Sequence, residues 1–224
     1  TGAPKPEIRQ CLQIIMENLK NYDFFEVGAG TGGMTKFLTK TLNHYADQDW
    51  TYCASDYFEG YLPELAKIDP RITTCKYDIN NKANTTYDAI YAMNAVHISD
   101  NIKKTLGNLY DMLNDGGFML LQEACSNFAP LFWGTSSRTW DFTDERELGL
   151  WITYDHWQKL FAESGFQVIS TYRVGPSQCL YLVRRPLATK IEATRFMDDL
   201  SDISHGMRII SINDDIAHHY HTFE

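Results

Sequence analysis

The sequence has little of what builds a zinc knuckle or a dithiol redox motif. Its five cysteines, Cys11, Cys53, Cys75, Cys125 and Cys179, are scattered, and no two have C-x-x-C spacing. An odd, dispersed set fits a reducing compartment, so a cytoplasmic protein is expected, with each sulfur a small buried hydrophobe. Long apolar runs are missing as well. None approaches the roughly 20 residues that cross a bilayer, so no membrane segment is expected. No secretory apolar core opens the chain, and no address is read there. A start at Thr1 rather than a methionine is expected of a processed or excised piece. Basic residues are outnumbered, 20 against 29 acidic, for a formal charge of −9. That balance argues against a broad nucleic-acid footprint. No internal repeat or low-complexity tract stands out. What remains is ordinary globular material: 224 residues, 44% apolar, enough for one domain with a core that needs no disulfide support.

Helical and extended patterns alternate. Ile8, Leu12, Ile15 and Leu19 make one apolar stripe, predicting a helix over residues 4–20. A short aromatic, β-branched run over 22–27 reads as a strand ending in a glycine turn. A helix over 31–44 follows, then a strand over 50–55, a helix over 57–67, and strands over 71–77 and 87–93. Ile102, Leu106, Leu109 and Leu113 mark the next helix, stopped by the glycines at 116 and 117. The apolar run 118–122 suits a strand covered on both faces. Repeated strand–helix units imply a parallel sheet with helices on both faces. Residues 124–149 break the rhythm and are rich in aromatics, which suits an aromatic lid or a plain cap over the sheet. A helix over 154–164 precedes strands over 166–173 and 178–183. The gap between those strands is too short for a parallel crossover, so they form an antiparallel hairpin at the sheet's edge. The expected domain is 1–185. Residues 186–224 read as a tail or linker, with one helix around 191–200 and one strand at 207–212.

Gly28, Gly30 and Gly33 satisfy G-x-G-x-x-G between a strand and a helix. Such a loop lets a ligand approach the backbone, and two cofactor classes use it; a purely structural turn is the alternative. Asp56 follows the second strand, where an acid can take both ribose hydroxyls of either cofactor. Glu26, two residues before the first glycine, discriminates better. It would help hold the ammonium group of S-adenosylmethionine but would repel a pyrophosphate. Asp78 follows the third strand, where an acid either reaches an adenine amino group or caps a helix.

His97 and Glu123 follow the fourth and fifth strands, whose carboxyl ends open on the crevice where such sheets bind ligands. A carboxylate beside an imidazole fixes its tautomer and raises its basicity, as a general base requires. The alternative is a satisfied histidine at a strand end. His44 ends a helix, and His156 lies near a helix start. His218, His219 and His221 follow Asp214 and Asp215, but their spacing argues no fixed geometry, so no metal site is assigned.

The segments EVGAGTGG, YDAIYAMNAVHISDNI, LNDGGFMLLQEA and WDFTDERELGLWITYDHW together resemble the methyltransferase domains of modular polyketide synthases. The resemblance covers roughly residues 4–185. It implies a class I methyltransferase fold of the α/β, Rossmann-like kind, with a seven-stranded, mostly parallel sheet. S-adenosylmethionine is the implied cofactor. Gly28 and Gly30 would line it, Asp56 would take its ribose and Asn94 would lie by its reactive end, with Glu26, Ala29, Tyr57, Asp78 and Ile79 as further candidate cofactor contacts. His97 paired with Glu123 is the implied base for removing the α-proton of a β-ketoacyl chain on the phosphopantetheine arm of an acyl carrier protein. Trp133, Trp140 and Tyr154 are the candidate substrate contacts. The implied partners are the carrier and neighbouring synthase domains. Members of the family usually carry a longer helical lid before the core, whereas here only the first helix precedes the core, so either that lid is missing from this piece or the substrate is held differently. Oxygen methylation of a β-hydroxyl or enol, and a non-catalytic relic domain, are the competing readings.

Overall fold

The computed structural model describes residues 5–45, 49–125, 142–144, 146, 152–174 and 177–187. Its elements are α1 (Lys5–Asn18), β1 (Tyr22–Val27), α2 (Gly33–Leu42), β2 (Trp50–Asp56), α3 (Leu62–Leu65), β3 (Ile72–Lys76), β4 (Tyr87–Met93), α4 (Ile102–Asp111), β5 (Leu113–Ala124), α5 (Tyr154–Glu163), β6 (Gln167–Val174) and β7 (Gln178–Arg184). One seven-stranded sheet runs in the order β3-β2-β1-β4-β5-β7-β6. The first five strands in that order pair in parallel, while β7 pairs antiparallel with both β5 and β6. The expected hairpin is therefore present. Its returning strand β7 slots in beside β5, and β6 takes the outer position.

Each sheet face carries its own core. On one, Ile8, Leu12 and Ile15 of α1 and Met34, Leu38 and Leu42 of α2 cover Phe24, Tyr52 and Leu120. On the other, Ile102, Leu106 and Leu109 of α4 and Trp157, Leu160 and Phe161 of α5 cover Phe25, Ile90, Leu121 and Tyr181. Two side-chain caps start the helices of this second layer. Asn101 accepts from the Lys104 N–H at 2.9 Å, and Thr153 accepts from the His156 N–H at 3.2 Å.

The predicted helix over 57–67 is much shorter. The Phe58 N–H is captured by Asp56 Oδ1 at 2.9 Å, and the α-helical part begins only at Leu62, with Pro63 in its first turn. Proline lacks the N–H that a helix interior needs, so it sits where a helix starts. Tyr57 and Phe58 are left exposed.

The cysteines correct the expectation of five separate thiols. Cys125, just past β5, is disulfide-bonded to Cys179 of β7, with the Cα atoms 6.0 Å apart. The antiparallel pairing of β5 with β7 causes this: it sets Glu123 opposite Cys179 and draws the Cys125 N–H onto the Ser177 carbonyl. Cys53 and Cys75, on neighbouring strands, bring their sulfurs to 3.4 Å. Only Cys11 matches the buried-hydrophobe reading in full. The aromatic stretch 126–141, the tail 188–224 with its predicted helix and strand, and His218, His219 and His221 lie outside the described residues. Among the described residues, no helix is long and apolar enough to cross a membrane.

Candidate active site

The sheet order reverses between β1 and β4, which leaves a crevice beyond their carboxyl ends. The glycine loop leaves β1 there. Gly28, Gly30 and Gly32 all take left-handed backbone angles, φ 69°, 54° and 79°. A Cβ on Gly28 would lie 2.9 Å from that of Ala95, so the loop passes directly against the segment after β4. A Cβ on Gly30 would meet nothing within 4 Å, so that edge of the loop faces open space. The Ala29 N–H is tied to the Ser55 carbonyl at 2.9 Å.

Two acids flank the loop. Asp56, at the end of β2, accepts the Gly30 N–H on Oδ2 at 2.8 Å as well as the Phe58 N–H on Oδ1. It thereby fixes the loop while its remaining lone pairs stay available for hydroxyls. Glu26 is 2% exposed, and its Oε2 accepts from Thr35 Oγ1 at 2.6 Å and from the Tyr52 hydroxyl at 2.8 Å. Burial pushes the Glu26 carboxyl up to about 7, against the pull of those two hydroxyls and helped by nearby Asp56. The sequence did not point to Thr35 or Tyr52. Their faces become readable only when β2 is laid beside β1 and α2 over both.

Asp78 caps no α-helix. Its carboxylate accepts from the Asn80 N–H at 3.0 Å and from the Asn81 side chain at 3.2 Å, shaping a turn after β3 in which Ile79 is buried. Tyr57 is 68% exposed beside Asp56, with the Lys76 ammonium 5.8 Å from its ring.

Beyond β4 the chain turns sharply. Asn94 has φ 49°, the single positive value among described non-glycine residues, and its N–H donates to the Gln122 carbonyl at 2.8 Å. Backbone in that region is uncommon outside glycine and recurs at functional sites. His97 then sits in a 3-10 turn over Val96–Ile98 rather than on the strand itself. Glu123, 0% exposed, reaches across from β5. Its Oε1 accepts the Ala95 and Val96 N–H groups at 3.1 and 2.8 Å, and its Oε2 lies 2.6 Å from His97 Nδ1. One carboxylate thus holds both the turn and the ring. With Nδ1–H donating to Glu123, the ring is the tautomer whose accepting nitrogen is Nε2.

On its other side the turn meets Arg146, which sequence reasoning did not single out. Arg146 Nη1 donates to the His97 carbonyl at 2.7 Å and Nη2 to the Ser99 carbonyl at 2.5 Å. The Asp-x-Arg spacing of Asp144 and Arg146 is the only sequence signal for it. Tyr154 is engaged elsewhere: its hydroxyl is 2.8 Å from Thr171 Oγ1 on β6 and its ring stacks on Tyr181 of β7. Trp133 and Trp140 lie outside the described residues.

A strand–glycine-loop–helix unit, an acid at the end of β2 and a seven-stranded sheet with β7 inserted define a class I S-adenosylmethionine-dependent methyltransferase fold. The chain belongs to the methyltransferase domain family, which matches residues 6–171. Among curated proteins it is similar to the polyketide synthase–nonribosomal peptide synthetase pyiS of Pyricularia grisea, 31% identical over 65% of this chain and 4% of that protein. It is also similar to the non-reducing polyketide synthase adrD of Penicillium rubens, 29% identical over 68% of this chain and 6% of that one. The chain therefore spans about a twentieth of the length of these relatives. Among solved structures, the citrinin polyketide synthase CMeT domain matches with a TM-score of 0.70 and 21% identity, covering 82% of this chain and 52% of that one. The CurJ carbon methyltransferase matches at 0.68 and 22%, covering 83% and 56%.

The residues present fit S-adenosylmethionine. Loop residues 26–33 carry a carboxylate and no basic side chain, an accepting group suited to an ammonium and unsuited to a pyrophosphate. Glu26 makes a measurable demand on that fit. Its raised value means that the apo fold favours the protonated acid, a preference fully present below the ordinary carboxylate range and lost as pH rises through about 7. A bound ammonium favours the carboxylate instead. Affinity for S-adenosylhomocysteine is expected to rise severalfold, on the order of fivefold, between pH 6 and 7.5, with proton release on binding. Calorimetry in buffers of different ionisation enthalpy checks this. A flat affinity in the wild type, or the same rise in Glu26→Gln, would rule out Glu26 as the ammonium's partner.

Proposed function

We propose that this domain methylates the α-carbon of a β-ketoacyl chain carried as a thioester on the phosphopantetheine arm of an acyl carrier protein, alongside other synthase domains. The observation that carries the reading is the buried His97–Glu123 pair, 2.6 Å apart, with His97 on the turn beyond β4, whose Ala95 lies against Gly28, and Glu123 reaching it from β5. Support also comes from the relatives, which are polyketide synthases, and from neighbouring folds described as carbon methyltransferases.

Glu26, the Gly28–Gly30 loop, Asp56 and Asn94 would hold S-adenosylmethionine, with Tyr57, Asp78 and Ile79 towards its nucleoside end. When bound, it supplies an electrophilic methyl group. The chain's own chemistry is then proton removal. A carbon flanked by a ketone and a thioester carries an acidic proton, and His97 Nε2 accepts it while Glu123 stabilises the imidazolium. Burial of the pair keeps water from competing for the proton.

The test offers β-ketoacyl and β-hydroxyacyl carriers with S-adenosylmethionine and locates the added methyl by fragmentation mass spectrometry. The expected product is the α-methyl-β-ketoacyl carrier. A methyl on oxygen would overturn the carbon assignment while keeping the base. Cofactor binding without transfer to either carrier would favour a relic domain.

A further inference from the structure

We propose that Arg146 is a positioning residue for His97, acting through the backbone of the turn that carries the imidazole; this rests on the reading of His97 as the base. A 3-10 turn is held by strained, poorly aligned bonds and is seldom stable alone. Here its own bonds are long: Ile98 N–H to the Ala95 carbonyl at 3.4 Å and Ser99 N–H to the Val96 carbonyl at 3.2 Å. Outside groups grip both ends instead. Glu123 takes the N–H groups at the start, and the Arg146 fork takes the His97 and Ser99 carbonyls at the end. The donors at one end go to an anion and the acceptors at the other go to a cation, so both sets of bonds are charge-assisted.

The fork is itself fixed. Asp144 Oδ1 accepts from Arg146 Nε at 2.5 Å, and the two side chains are 15% and 2% exposed. Asp144 Oδ2 accepts the first N–H of α4, from Ile102, at 2.8 Å. The guanidinium carbon lies 3.5 Å from the centre of the Phe142 ring, and the Thr143 N–H donates to the Asp100 carbonyl at 2.8 Å. Residues 142–144, Arg146, the start of α4 and the turn that carries His97 are therefore joined by these bonds. Lysine cannot replace the fork, because an ammonium reaches as a point charge and not as two coplanar donors. A displacement of about 1 Å at a base is enough to cost roughly a hundredfold in rate.

The test compares wild type with Arg146→Lys, which keeps the charge opposite Asp144, and with Arg146→Gln. Lys103→Ala, which breaks only the surface pair between α4 and Glu163 of α5, serves as the control. The readouts are kcat, KM for the carrier, S-adenosylhomocysteine affinity, and the ring N–H proton resonance of His97, identified by its loss in His97→Ala. Arg146→Lys is expected to lower kcat by ten- to a hundredfold, with KM and cofactor affinity within about twofold. The ring resonance should shift or broaden, and Lys103→Ala should match wild type. Should Arg146→Gln fail to fold, Arg146→Lys decides alone. Unchanged kcat and resonance in Arg146→Lys would overturn the proposal, as would a rise in KM with the resonance unmoved. If the wild type transfers no methyl to any carrier, the functional reading fails but the ring resonance still decides this inference.

Discussion

Replacing Glu123 by glutamine should lower kcat for methyl transfer by about 10²–10⁴-fold while leaving cofactor affinity within about twofold. The reason is a count of donors and acceptors. The carboxylate accepts three bonds, two from the Ala95 and Val96 N–H groups and one from His97 Nδ1. A carboxamide has one accepting and one donating end. If its oxygen faces the backbone, its NH2 faces Nδ1, and the ring must carry its proton on Nε2, where the base's lone pair is needed. If its oxygen faces the ring, its NH2 confronts two backbone donors in a fully buried place. Either arrangement removes the proposed base or distorts the turn, with a stability loss of about 1–3 kcal/mol for the unmatched groups. His97→Ala should fall as far, and the double variant little further, because residues that act as a unit are not additive. Retention of more than a tenth of the wild-type kcat by Glu123→Gln would remove the pair from the mechanism. A lower kcat accompanied by lost cofactor affinity would place Glu123 in the binding site instead.

Much of this arrangement is legible from sequence because local signals coincide there. β1 and β4 begin and end where the aromatic and β-branched runs do. The glycines follow β1 directly, and the parallel order of β1, β4 and β5 brings Gly28, His97 and Glu123 to one crevice. What was not legible depends on relations between distant segments. The insertion of β7 beside β5, and with it the Cys125–Cys179 bond, comes from a choice between two hairpin placements that no local pattern encodes. The helix predicted over 57–67 shrank because Asp56 turned the chain aside. An aspartate at a strand end advertises a ligand and a local turn equally. The hold of Arg146 on the turn is not legible in sequence because what it grips there are main-chain carbonyls, and a carbonyl has no residue type to recognise.

Gly28→Ala should separate two uses of glycine within a single loop. Gly28 has φ 69°, and a Cβ there would stand 2.9 Å from Ala95 Cβ. The left-handed conformation costs an alanine about 1–2 kcal/mol, and relieving the contact adds about 1–3 kcal/mol of overpacking. The expected loss of stability is therefore about 2–5 kcal/mol. The strain does not stay local, because the Ala95 N–H is one of the three bonds on Glu123. Moving Ala95 away from the loop moves the turn that carries His97. Gly28→Ala should therefore lower kcat at least a hundredfold even at saturating cofactor, and should weaken S-adenosylhomocysteine binding at least tenfold. Gly30→Ala is the contrast. Its φ of 54° exacts the same left-handed cost, but its Cβ would meet no protein atom within 4 Å. That variant should lose only about 1–2 kcal/mol and fold normally. It should still lose cofactor affinity, because the added methyl enters the space the loop leaves open for the ligand. Thermal unfolding with and without S-adenosylhomocysteine, alongside calorimetric titration, distinguishes the two. A Gly28→Ala protein as stable and as active as wild type would mean that the loop does not brace the turn that carries His97. Normal cofactor binding by Gly30→Ala would mean that the open edge of the loop is not where the ligand lies.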